Sequence, residues 1–98
     1  MKEKNKEFSE EVLKYLNTKI LPKYFELESC SLHFFPDYMN KSFEYIFKYN
    51  SKRKLSNFMK KQKDIKTLNK DIGKEIIDYS KSKNKDYFFL YVQLIFKE

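Results

Sequence analysis

The chain has 98 residues, 41% of them hydrophobic and 18% aromatic, which suits a single domain with one modest core and excludes a disordered chain. Glycine occurs once, at Gly73. A phosphate-cradling loop, a dinucleotide fingerprint or a nucleophile elbow each needs glycine where backbone meets a ligand or turns sharply, so none can be built here. The formal net charge is +7, and with Cys30 as the only cysteine no disulfide can form within the chain.

Residues 1–7 are polar and expected to fray. Their basic start is followed by no apolar run, so no secretory signal is expected. Ser9 is predicted to cap a first helix, with Glu10 and Glu11 at the positive end of its dipole. Phe8 and Leu13 then occupy the two positions of a hydrophobic staple. Phe8, Val12, Leu16 and Ile20 recur every four residues, which makes one apolar stripe. Pro22 is predicted to end or kink the helix, and Tyr24, Phe25 and Leu27 to follow as a last turn or a docked connection.

Residues 29–35 read as a strand, with Cys30, Leu32 and Phe34 on one face and Ser31 and His33 on the other. A loop is expected over 36–41. Residues 42–49 alternate, with Phe43, Tyr45, Phe47 and Tyr49 on one side, and the two strands are predicted to form an antiparallel hairpin. Asn50 and Ser51 can cap a second helix carrying Leu55, Phe58 and Met59. Gln62-Lys63-Asp64 interrupts that pattern, and Ile65, Leu68, Ile72, Ile76 and Tyr79 resume helical spacing. The spacing allows two helices with a basic joint near 61–66, or one kinked helix. Ser80 to Lys85 reads as a basic loop and Tyr87 to Phe96 as the last strand. Both faces of that strand are apolar, which predicts a central position or an oligomer contact. Its ten residues fall short of the roughly 20 a membrane-spanning helix needs.

The expected fold is therefore α+β, a single domain over 1–98 with the order α-β-β-α-(α)-β. Its three-stranded, largely antiparallel sheet carries helices on one face. This order is similar, in topology alone, to one arrangement of the KH RNA-binding fold. Lys60-Lys61-Gln62-Lys63-Asp64 stands where that family has its Gly-x-x-Gly loop. A ferredoxin-like sandwich lacking its first strand describes the order equally well, and no family is assigned.

Charge is the most specific signal. Between Lys52 and Lys85 stand 12 basic and four acidic residues, an excess of eight, while the rest of the chain has nine basic and ten acidic residues. A concentrated positive field attracts phosphate backbones and releases counterions. With one arginine against 20 lysines, point charge dominates over bidentate base reading, so any nucleic-acid contact should be largely independent of sequence. The candidate binding residues are Lys52, Arg53, Lys54, Lys60, Lys61, Lys63, Lys66 and Lys70. The plainer explanation is that a lysine-rich composition merely solvates its helices. The aromatic face Phe43-Tyr45-Phe47-Tyr49 offers a base-stacking platform if it is open, and a core face if the helices land on it.

Catalytic signals are thin. Cys30 and His33, the sole cysteine and histidine, point to opposite faces of a strand and cannot meet. A metal site would need further ligands. Glu26 with Glu28, and Asp37 with Glu44, are the carboxylate pairs on offer, without a nucleophile or an oxyanion donor beside them. The expectation is a small non-enzymatic, cofactor-free cytoplasmic protein whose basic 52–85 surface engages nucleic acid or a nucleoprotein complex, with inhibition of that complex among the roles open to it. The alternative is a protein-interaction module or inhibitor, of the kind found in phages and mobile elements. It would act through a sheet edge or aromatic patch, with homodimerisation a further option and no membrane contact.

Overall fold

In the computed structural model, residues 3–35, 43–50 and 64–98 are described, with side chains from Lys6 onward. Helix α1 spans Glu3–Tyr15. It begins earlier than expected because Lys and Glu, both good helix formers, fill its first turns. Ser9 is therefore not a cap. Its hydroxyl donates to the Lys6 carbonyl oxygen at 2.6 Å from inside the helix, so Phe8 and Leu13 do not form a staple.

The stripe of Phe8, Val12, Leu16 and Ile20 is buried throughout, as its spacing predicts. A strict step of four residues overshoots a full α-helical turn by about 40°, so the stripe would drift away from the core. The chain corrects this by widening. Leu16–Ile20 form a π turn, in which the Leu21 N–H donates to the Leu16 carbonyl five residues back. Pro22 then ends the helical run inside a short 3-10 turn, Leu21–Lys23.

Strand β1 is Leu27–Phe34 and β2 is Phe43–Tyr49. They pair antiparallel, with Cys30 opposite Phe47, Leu32 opposite Tyr45 and Phe34 opposite Phe43. Helix α2 spans Ile65–Ser82, and β3 spans Val92–Lys97. The sheet order is β1-β2-β3, and β3 runs parallel to β2, with Leu94 opposite Tyr45 and Phe96 opposite Phe47. The sheet is thus mixed. The hairpin turns β2 back on β1, whereas the crossover through α2 returns β3 in the same direction as β2.

Both helices pack on one face of this sheet. Phe43, Tyr45 and Phe47 are fully buried there against the α1 stripe and against Leu68, Ile72 and Ile76 of α2. The Tyr45 hydroxyl donates to the Ser9 carbonyl oxygen at 2.7 Å and anchors α1. Between the helices, Tyr15 stacks on Tyr79 at 4.2 Å, and Phe8 meets Phe88 edge-on at 4.7 Å. The aromatic face of β2 is therefore core, and the base-stacking reading of it is withdrawn. The opposite face of the sheet carries Ser31, His33, Glu44, Lys48, Gln93 and Lys97 around half-buried Ile46 and Ile95.

The chain from Tyr87 onward differs most from expectation. Phe88–Tyr91 form a short 3-10 turn rather than strand, and β3 is an edge strand rather than a central one. An apolar run with no polar interruption fits either conformation. Here tertiary packing decides, because the turn buries Phe88 and seats Phe89 on Gly73 of α2. A Cβ at Gly73 would meet the Phe89 ring at 3.4 Å, ordinary van der Waals contact, so the contact is close without demanding glycine.

Helix α2 has well-defined ends. Asp64 is extended and its carboxylate accepts from the Thr67 N–H at 2.8 Å, a side-chain N-cap. At the other end Asn84 takes φ 60°, the left-handed conformation that asparagine tolerates. The Asn84 N–H reaches the Lys81 carbonyl and the Lys85 N–H reaches the Ser80 carbonyl, completing a Schellman motif. Helix thus continues through Ser82, three residues into the expected basic loop. The helix expected around Leu55, Phe58 and Met59, and the loop expected over 36–41, lie outside the described residues.

Candidate nucleic-acid interface

Successive residues of an α-helix are separated by about 100°, so α2 can be read as four strips. One strip is the core face of Leu68, Ile72, Ile76 and Ser80, all buried. On the α1 side, the Tyr79 hydroxyl donates to Glu11 at 2.6 Å. Next come the acids Asp71, Glu75 and Asp78. Lys23 donates to Glu75 at 3.0 Å, which raises the lysine's pKa through that hydrogen bond and the charge of the carboxylate. The fourth strip holds Lys66, Lys70 and Lys74 at steps of four, with Lys81 seven residues beyond Lys74. All four lysines are exposed.

Spacing therefore sets Lys66 and Lys70 apart from the acids, while Lys74, four residues before Asp78 and three after Asp71, borders the acidic strip. The lysine strip runs for about 22 Å from Lys66 to Lys81 at 1.5 Å per residue. Among the described residues none of its four ammonium groups lies in an ion pair or hydrogen bond. The ridge faces solvent as a row of point charges without direct ion pairs, an arrangement suited to holding polyanions without reading their sequence.

Of the eight residues singled out from sequence, the described structure brings Lys66 and Lys70 together on this ridge. Lys52, Arg53, Lys54, Lys60, Lys61 and Lys63 lie outside the described residues. Lys74 and Lys81 join the ridge although they were not among the eight. Their signal was the helical spacing from Lys66, legible once the start of α2 at Ile65 is known. Over 64–85 the chain carries six basic and four acidic residues, whereas 52–63 carries six basic and no acidic ones. The excess is therefore concentrated in the sequence immediately before α2.

The catalytic candidates stay apart. Cys30 is buried on the helix side of β1, and burial pushes its thiol up to about 12. His33 is exposed on the other face, with Nδ1 3.7 Å from Glu44. Glu26 is buried, while Glu28 faces Lys48 at 3.7 Å. Asp37 lies outside the described residues. Among the described residues no three metal-ligating side chains cluster. A shallow open groove of about 460 Å³ runs between the π turn and β1, lined in part by Asn17, Leu21, Pro22 and Glu28. The Asn17 amide there donates to the Leu13 and Cys30 carbonyls, so it is committed to joining α1 to β1.

No helix among the described residues is long and apolar enough to cross a membrane. No protein-family model, curated protein or solved structure matches the chain.

Proposed function

We propose that this protein is a non-enzymatic nucleic-acid binder that holds phosphate backbone along the α2 lysine ridge and the basic segment before it. The observation that carries this reading is the segregation of charge on α2. Lys66, Lys70, Lys74 and Lys81 share one exposed strip, while Asp71, Glu75 and Asp78 occupy another. A strip serving only solubility has no need to exclude acids, and mixed signs would stabilise the helix better. Backbone contacts made by lysine are insensitive to base sequence, so the expected ligand is a class of polymer rather than a particular site.

Fluorescence-anisotropy titration of labelled random oligonucleotides at low and physiological salt tests this. The expected result is binding that weakens steeply with salt, with a log–log slope reporting several displaced counterions. Absence of binding at low salt overturns the reading.

A second reading, protein recognition through the β3 edge, draws support from a difference between the two sheet edges. The outer edge of β1 is capped where Asn17 donates to the Cys30 carbonyl, while β3 is an edge strand with Leu94, Ile95 and Phe96 only half-buried. Unprotected edges invite pairing with another chain. A proline at position 95 would abolish such binding and leave the salt-dependent binding of oligonucleotides intact.

A further inference from the structure

Among the described residues the exposed tyrosines are Tyr87 and Tyr91, at 43% and 37% exposure, and His33 is exposed on the far face of the sheet. Leu90, between them in the turn, is 69% exposed. The other described phenylalanines and tyrosines are buried or half-buried. The two tyrosine rings lie 6.5 Å apart and nearly perpendicular. Among the described residues neither hydroxyl has a hydrogen-bond partner.

The segment that carries them is held rigidly. Phe88 is fully buried, packing against Phe8 and Phe43. The Phe88 N–H donates to the Lys85 carbonyl at 2.9 Å, and the Lys85 N–H is tied to Ser80 at the end of α2. Phe89 rests on Gly73. By helical geometry Gly73 lies at the margin of the lysine strip, within about 60° of both Lys66 and Lys70 around the α2 axis. The exposed tyrosines therefore stand on a turn that packs beside the lysine ridge, on the side away from the acids. Lys81 and Lys83, both exposed, flank the same turn in sequence.

We infer that Tyr87 and Tyr91 form a base-stacking platform which makes the lysine ridge selective for single-stranded over duplex nucleic acid. This rests on the nucleic-acid reading above. Lysines track a backbone without discriminating single from double strands. Stacking does discriminate, because bases within a duplex are already stacked on each other and offer no free π face, whereas a single strand can lay its bases on exposed rings. Two exposed rings on a turn that packs against α2, together with its row of ammonium groups, supply both parts of such a site, and the charge of the ridge complements that of the ligand.

The test compares labelled 12-mer single strands, RNA and DNA, with the duplex of the same sequence. The proteins are the full chain, the Tyr87→Ala/Tyr91→Ala variant and the Tyr87→Phe/Tyr91→Phe variant. The wild-type chain is expected to prefer the single strands. The alanine variant should lose about tenfold or more of single-strand affinity, with duplex affinity and salt slope unchanged, and the phenylalanine variant should retain it. Equal wild-type affinity for single strand and duplex, or an alanine variant that binds single strands as tightly as wild type, overturns the platform and leaves the nucleic-acid reading standing. Failure of the wild-type chain to bind any of the oligonucleotides sinks both, and leaves Tyr87, Leu90 and Tyr91 to a protein partner. Ultraviolet crosslinking of the wild-type chain to a single strand, followed by peptide mapping, is independent of how the variants fold. Crosslinks at Tyr87 or Tyr91 support the platform, and crosslinks confined to other segments overturn it.

Discussion

Helices α1 and α2 lie on the same face of one sheet, and each shows solvent a strip at four-residue spacing. On α1 the strip reads Lys6, Glu10, Lys14; on α2 it reads Lys66, Lys70, Lys74. Neighbours in the first attract, while neighbours in the second repel, each pair shifting helix stability by about 0.2–0.5 kcal/mol. A composition rich in lysine would affect both helices alike. The exposed Glu7 and Glu11 of α1 also carry one sign at a step of four, so the contrast lies in the row of three lysines on α2 rather than in like-charge neighbours as such. A polyanion bound along Lys66, Lys70 and Lys74 would relieve the repulsion between them.

The most direct way to break this contrast is to reverse the charge of each strip in turn. K66E/K70E/K74E is expected to weaken oligonucleotide binding by about 100-fold or more at low salt and to flatten the salt slope, since each lost lysine–phosphate contact removes about one released counterion. K6E/K14E/K19E, the change of equal charge on α1 and the π turn after it, should alter affinity by less than about threefold. Equal losses from both variants, read by anisotropy, would mean that only net charge matters and that the ridge is not a site.

The joint between the helices should fail on the alkaline side. Burial pushes the Cys30 thiol from 9.0 up to about 12. The Tyr79 hydroxyl is raised from 10.0 to about 12, first by burial and then by its hydrogen bond to Glu11. Burial raises the Tyr45 hydroxyl as well. In each case the fold favours the neutral form. Stability from these groups is complete below about pH 9, where the unfolded groups stay protonated, and drains away as pH climbs through the folded values. Urea midpoints should be flat in this respect from pH 7 to 9 and fall above it. A midpoint that held steady to pH 11 would show that these groups are not sequestered as described.

Anchoring distinguishes the helices more finely. Tyr45→Phe removes the buried donor to the Ser9 carbonyl, which keeps its bond within the helix, at a cost of about 1 kcal/mol. Tyr79→Phe removes an exposed hydrogen bond to Glu11 and should cost less than about 1 kcal/mol. Neither change should affect oligonucleotide binding. Chemical denaturation measures the first claim and anisotropy the second.

What the sequence made legible follows a physical pattern. The stripe Phe8-Val12-Leu16-Ile20 and the alternation Phe43-Tyr45-Phe47-Tyr49 were readable because each has one period and one buried face. The start of α1 was not, because a serine near a helix end can cap it or, as Ser9 does, bond back to a carbonyl inside it. The run from Tyr87 misled because apolar residues on both faces carry no period. Only the packing of Phe88 and Phe89 against the helices selects a turn. The same packing leaves Tyr87 and Tyr91 outside, so the exposed aromatic pair could not be read from a sequence in which 18% of residues are aromatic. The lysine excess was visible as a count. Its segregation from Asp71, Glu75 and Asp78 became visible only when the register of α2 was fixed by the Asp64 cap.

A single substitution sharpens the contrast at its smallest scale. Lys70→Glu turns the α2 strip into Lys-Glu-Lys, the pattern of α1. Two repelling pairs, Lys66–Lys70 and Lys70–Lys74, become attracting ones, which should stabilise the protein by about 0.8–2 kcal/mol. That corresponds to a rise in Tm of roughly 3–16 °C for a domain of this size. If the strip exists to hold phosphates, the same change should weaken oligonucleotide binding about five- to tenfold, since it removes a contact and places a repelling carboxylate between its neighbours. The two effects have opposite signs and come from one residue. A more stable protein that binds less well would identify the repulsion along α2 as a cost maintained for binding. A more stable protein that binds as before would reduce Lys70 to surface charge, and with it the case that α2 differs in kind from α1.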